Sequence, residues 1–145
     1  MISSQARQAR YARHLALPQI GAAGQERLSA GRVLVVGAGG LGSPAAGVGR
    51  IGIMDGDVVE PSNLQRQLLH RAADIGRRKV DSAAETLRAL NPEIDVLPLS
   101  ECLTGANGPR VLAAYDIVID ATDNFTAKFL IADLCHAVGK PYIHG

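Results

Sequence analysis

The sequence predicts an α/β protein with a mostly parallel sheet, helices on both faces and an N-terminal helical arm. Three observations predict it. Short runs rich in Val, Ile and Leu recur at RVLVV (32–36), RIGIM (50–54), IDVLP (94–98), DIVID (116–120) and YIH (142–144). Stretches of helical periodicity separate most of them, and strands alternating with helices build parallel sheets. Sixteen glycines beside two Phe, three Tyr and no Trp imply an aliphatic core with tight backbone geometry, not an aromatic-rich sandwich.

Residues 1–31 read as the arm and 32–145 as the domain proper. The arm holds two helical pieces, about 5–15 and 25–29, separated by Pro18, Gly21 and Gly24. Tyr11 is expected to pack it against the sheet. The run 32–36 is continuously apolar after Arg32, as a strand covered on both faces should be, and it enters the glycine loop GAGGLG (37–42). The second strand closes in Asp55-Gly56-Asp57. Ser62, with Gln65 three residues on, has the form of a capping box opening a helix to about residue 69. A helix over 76–90 puts Val80, Ala83, Ala84, Leu87 and Leu90 on one stripe, and Asn91-Pro92 ends it. After the strand 94–98 come a glycine-rich connector at 104–108, a helical turn at 109–114 and the strand 116–120. A helix over 125–138 exits through Gly139, and the strand 142–144 follows.

One spacing is anomalous. Only SPAAGVG (43–49) lies between the glycine loop and the second strand. A parallel crossover takes a dozen or more residues, because the chain must return the ~16 Å length of a five-residue strand, and seven helical residues cover only ~10 Å. The spacing therefore predicts either an unusually short return or a stretch missing between Gly42 and Arg50, and it favours the second. A strand begun just before Gly145 likewise predicts a sheet that is incomplete here and a domain that continues.

The chain of 145 residues is one domain in size. Fifteen Lys and Arg against 14 Asp and Glu, a net +1, give no long-range field for nucleic acid. The charge is uneven: residues 1–32 carry five arginines and one acid, net +4, leaving −3 for the rest. Cys102 and Cys135 do not make a disulfide framework, so a reducing, cytoplasmic setting is expected. No stretch approaches the ~18 uninterrupted apolar residues of a membrane span.

In an open parallel sheet, ligands bind beyond the carboxyl ends of the strands, and three clusters fall there: the glycine loop, Asp55-Gly56-Asp57, and DATDN (120–124). Gly37, Gly39, Gly40 and Gly42 exceed what a turn needs and let backbone amides approach a phosphate. Asp55 can hold two ribose hydroxyls or serve only as a turn residue; Asp57 divides evenly between the same options. Asn63 and Arg66 can form a solvated helix face, yet they directly follow the ribose acid. Lys79 stands beside Arg77 and Arg78. Asp123 can cap a helix or carry a metal-bound triphosphate.

RYARHLALP (10–18), GQERL (24–28), GAGGLG (37–42), DGDVVEPSNLQRQ (55–67), Lys79 and DATDN (120–124), in this order, resemble the adenylation domain of the ubiquitin-activating-enzyme superfamily. The likeness is nearest to its ThiF/MoeB/HesA members, the adenylyltransferases of sulfur carrier proteins in thiamine and molybdopterin biosynthesis. It implies a Rossmann-like domain that uses ATP and Mg2+ to adenylate the C-terminal glycine of a ubiquitin-like sulfur carrier ending in Gly-Gly. It places Gly37, Gly39, Gly40, Gly42, Asp55, Asn63, Gln65 and Asn124 on the nucleotide, and makes Arg66, Lys79, Asp123 and Arg13 catalytic. Asp123 would hold magnesium. Arg13 would reach the neighbouring site of a homodimer. The family's paired CxxC zinc ligands have no counterpart here, so no zinc site is assigned within these residues, and Cys102 and Cys135 read as ordinary thiols. His14, His70, His136 and His144 are left without a role.

The chemistry explains a site rich in cations with no catalytic histidine. A C-terminal carboxylate with a pKa of ~3.5 is already ionised at pH 7, so the obstacle is repulsion between two anions. A unit charge at ~4 Å and an effective dielectric of ~20 is worth on the order of 4 kcal/mol. Two rivals share parts of the pattern. A nicotinamide-dependent oxidoreductase would use the loop and the acid, but Asp55 follows Gly42 by thirteen residues, where ~20 is expected, and hydride transfer has no need of so many cations. A non-catalytic scaffold for a ubiquitin-like partner is the other.

Overall fold

The computed structural model describes residues 4–39 and 47–145. The arm comprises α1 (Ser4–Arg10), α2 (Ala12–Leu15) and α3 (Gly21–Ala30). The domain follows as β1 (Arg32–Val36), β2 (Arg50–Met54), α4 (Lys79–Leu90), β3 (Asp95–Leu99), α5 (Gly108–Ala113), β4 (Ile117–Asp120), α6 (Phe125–Ala137) and β5 (Tyr142–His144). Every pairing within the five-stranded sheet is parallel, and the strand order is β3-β2-β1-β4-β5. The order reverses direction at β1, which opens a crevice between the carboxyl ends of β1 and β4.

Alternation along the strands builds a core on each face, because successive side chains point to opposite sides. Val33, Val35, Ile51 and Ile53 pack with Val80, Ala83, Ala84 and Leu87 of α4. Leu34, Val36, Met54 and Val118 pack with Leu112 of α5 and Ile131 and Cys135 of α6. Helices therefore cover both faces, as expected. Pro98 lies in β3, an edge strand, where a missing N–H is tolerated.

Several predicted elements are redrawn. The helix expected over 62–69 is replaced by tight turns. Pro61–Asn63 is a 3-10 turn, and Asn63 Oδ1 accepts the Glu60 N–H at 3.0 Å. The short amide satisfies the chain locally in place of a helix, so Ser62 is not its cap. The helix expected from 76 begins at Lys79, because 76–78 are drawn into pairing with 57–59: Val59 N–H donates to Arg77 O at 2.8 Å and Lys79 N–H to Asp57 O at 3.0 Å. In the arm, the piece expected over 5–15 is divided at Tyr11 into α1 and α2, and the piece expected over 25–29 extends back to Gly21 as α3, taking in Gly21 and Gly24.

β1 and β2 are adjacent, parallel and in register from Arg32↔Arg50 to Val36↔Met54. The return between them, and with it the question of a missing stretch, falls largely on 40–46, outside the described residues. Its exit is fixed by Gly49, where an added β-carbon would stand 1.8 Å from the Ser29 carbonyl oxygen of α3. Tyr11 is buried at 7% exposure, and its hydroxyl accepts from Asn91 Nδ2 at 2.9 Å. Arg10 donates to the Leu90 carbonyl, so the arm docks on the end of α4.

Candidate functional site at the carboxyl edge of the sheet

Three chain segments leave the sheet at the crevice. Gly37 follows β1 at φ +99°, and an added β-carbon would lie 2.7 Å from the Ala121 carbonyl oxygen. Only glycine lets the ends of β1 and β4 pass this closely. Asp55, immediately after β2, accepts the Ala38 N–H through Oδ2 and the Asp57 N–H through Oδ1, each at 2.8 Å. Each oxygen keeps a further lone pair for a ligand hydroxyl.

A cleft of about 440 Å³ opens here. Gly37 and Gly39, Asp55 and Asp57, Arg66 and Gln67, Lys79, and Asp123 and Asn124 all line it, and Met54, Leu103, Ala127 and Ile131 add an apolar wall. An adjoining compartment of about 290 Å³ shares Asp57, Arg66, Gln67, Lys79 and Asp123 and adds Glu60 and Asn63. Among the predicted residues, Arg66, Lys79 and Asp123 are thus brought together, and each borders both spaces.

Lys79 is 9% exposed, and its Nζ donates to Asp57 Oδ2 at 3.0 Å. Arg66 is exposed, with Nη1 donating to the Ser62 carbonyl at 3.2 Å. Asn124 caps α6 by accepting the Ala127 N–H at 2.9 Å, which leaves Asp123 exposed at the mouth. Beneath them Asp120 has no exposure. Burial pushes its pKa up, but hydrogen bonds from Thr122 and His144 and the Lys128 charge outweigh that and hold it below the usual carboxylate range.

Other predicted residues lie elsewhere. Gln65 is exposed and borders neither space, whereas Gln67 is 7% exposed and borders both, with Oε1 lacking a protein partner. No sequence periodicity marks it, because 62–69 is a run of turns and not a helix. Arg13 is exposed on α2 and does not line the cleft. Gly40 and Gly42 are outside the described residues. Cys102 lines the cleft and Cys135 is fully buried, its thiol pKa raised by burial and by Asp120. Among the described residues no three His, Cys, Asp or Glu side chains form a metal cluster, and no helix is long and apolar enough to cross a membrane.

An apolar wall, a carboxylate, a glycine loop and two cations meet at the carboxyl ends of the strands of a doubly wound α/β domain, where such folds bind their ligands. The sequence pattern of the ThiF family matches residues 11–145, and the chain belongs to that family. It is 49% identical over 143 residues to MoeZ of Mycobacterium tuberculosis, covering 94% of this chain and 36% of MoeZ. It is 46% identical over 142 residues to the SAMP-activating enzyme E1 of Haloferax volcanii, covering 94% of this chain and 53% of that protein. The chain thus spans between a third and about half of these relatives. Among solved structures, the tRNA N6-threonylcarbamoyladenosine dehydratase TcdA of E. coli in complex with ATP matches with a TM-score of 0.89 and 26% identity, over 99% of this chain and 61% of that one.

Proposed function

We propose that this chain adenylates the C-terminal glycine carboxylate of a ubiquitin-like sulfur carrier with ATP, releasing pyrophosphate. The observation that carries the reading is that Arg66, Lys79 and Asp123 border one cleft together with Asp55 and the glycine loop. Similarity to relatives that include a SAMP-activating enzyme E1, and to a solved relative with ATP bound, supports it.

Asp55 takes the ribose, the amides of Gly37 and Gly39, with Gly40 and Gly42, take the phosphates, and the apolar wall takes the base. Asn124 contacts the nucleotide from the cleft and Asn63 from the adjoining compartment. Lys79, held by Asp57, and Arg66 stabilise charge on the α-phosphate and the departing pyrophosphate. The attacking carboxylate needs no base, so catalysis is positioning plus electrostatics.

Magnesium fits the donor set, since Mg2+ is held through one or two carboxylates plus substrate phosphates, and Asp123 presents a carboxylate to both spaces. When bound it supplies Lewis-acid stabilisation of phosphate charge. Exposed Arg13 acts in the neighbouring site of a homodimer. Residues 1–31 serve as the arm and 32–145 as the adenylating domain, in the cytoplasm, within thiamine or molybdopterin biosynthesis.

Magnesium-dependent ATP–pyrophosphate exchange, run against a panel of carriers ending in Gly-Gly, tests this. Exchange with one carrier is the expected result, and Arg66→Ala should cut it by ~10²–10³. Binding of NAD with no exchange, or carrier binding with no exchange, overturns the reading.

A further inference from the structure

His70 is buried at 6% exposure between the glycine loop and α4. Its Nε2 lies 3.1 Å from the Ala38 carbonyl oxygen and its Nδ1 lies 2.9 Å from Ser82 Oγ. A carbonyl only accepts, so Nε2 carries a proton. Ala38 is 2% exposed, and its own N–H donates to Asp55. Both backbone groups of Ala38 are therefore held by side chains, one from the end of β2 and one from the segment before α4. Gly37 and Gly39 flank it, and glycines impose little conformation of their own. The geometry of residues 37–39 is thus fixed from outside.

We propose that His70 is a positioning residue of the nucleotide site: it anchors the Ala38 carbonyl, sets the loop amides, and ties them to the helix carrying Lys79. The tie runs through Ser82, three residues beyond Lys79 on α4. This role rests on the nucleotide reading above.

The proton inventory supports a permanent tie. Burial pushes the His70 imidazole down, and the Lys79 charge acts the same way, against the Ala38 carbonyl, Asp74 and Asp55. The neutral ring accepts the Ser82 hydroxyl proton at Nδ1. A protonated ring donates from Nδ1 to Ser82 Oγ instead. The bond from Nε2–H to Ala38 survives in both states.

Two measurements on the full chain test it: the NMR amide exchange of Ala38 without ligand, and ATP affinity by calorimetry. His70→Leu keeps the bulk and removes both ring nitrogens. It should speed Ala38 exchange and weaken ATP binding by about tenfold or more, as loss of a buried hydrogen bond implies. His70→Gln presents an amide N–H to Ala38 and an oxygen to Ser82, and should stay within about threefold of wild type on both. Wild-type values for His70→Leu overturn the proposal, as does equal failure of His70→Gln at unchanged Tm. If His70→Leu does not fold, Ser82→Ala decides: about threefold loss on both measures supports the tie, and wild-type values overturn it. A wild-type protein that binds no ATP defeats the proposed function, while Ala38 exchange still judges the anchor.

Discussion

The two ends of the same five strands treat charge in opposite ways. At the amino edge, Arg32 pairs with Asp116 at 2.6 Å and Arg50 with Asp95 at 2.8 Å, all four side chains between 44% and 62% exposed. Arg32 holds Asp116 below the usual carboxylate range. At the carboxyl edge, Asp120, His70, Gln67, Asn63 and Lys79 are all at or below 9% exposure. Exposed pairs keep their hydration and contribute little, whereas buried polar groups cost free energy unless hydrogen bonds offset the loss of water. The carboxyl edge concentrates groups that a fold built for stability alone would replace with aliphatic ones. That asymmetry locates the site independently of any motif.

The largest expected effect is on the reaction. Lys79→Met retains the buried stem and removes the charge, and should lower ATP–pyrophosphate exchange by ~10²–10³. Exchange within threefold of wild type would make Lys79 a structural partner of Asp57 and no more.

Next comes the support beneath the site. Asp120→Ala leaves the Thr122 hydroxyl, His144 and Lys128 without their shared acceptor, and should cost about 3 kcal/mol by urea unfolding. A loss as small as that of a surface variant would remove the contrast between the two edges.

Acid should act through the same groups. Asp74 and Asp120 both have lowered pKa values in the folded chain. Burial raises both, but Asp74 is held down by the Arg71 N–H and Arg77, and Asp120 by Thr122, His144 and Lys128. Their contribution is complete above the ordinary carboxylate value of about 3.9 and is lost as pH falls through the lowered folded values. Urea midpoints followed from pH 6 to pH 2 should therefore fall at the acid end, and Asp120→Asn should flatten part of that limb. An identical pH profile for Asp120→Asn would count against this assignment.

The strands are legible because the aliphatic runs at 32–36, 50–54 and 116–120 pack against cores on both faces and carry no competing pattern. Ser62 and Gln65 misled because a capping box is a local pattern, while Pro61 and the Asn63 side chain bind the same backbone into turns. The helix from 76 started late for a non-local reason, the pairing of 57–59 with 76–78. That pairing also seats Lys79 against Asp57. Within the site, residues next to strand ends could be read from sequence. Gln67 and His70 could not, because their burial comes from a loop folding onto α4, and no periodicity records it.

The smallest expected effect is at the amino edge, and it makes the comparison sharpest. Arg32→Gln and Asp116→Asn, singly and together, should leave exchange unchanged and shift Tm slightly at low salt. At 1 M salt, where the Debye length is about 3 Å, the residual shift should vanish. Salt cannot screen Asp120 in the same way, because its carboxylate has no exposure and is held by direct hydrogen bonds from Thr122. A salt-insensitive loss at Asp116 as large as that of Asp120→Ala would mean that both ends of the sheet depend on their charges equally. The concentration of buried polar groups at the carboxyl edge would then say nothing about where the chemistry is.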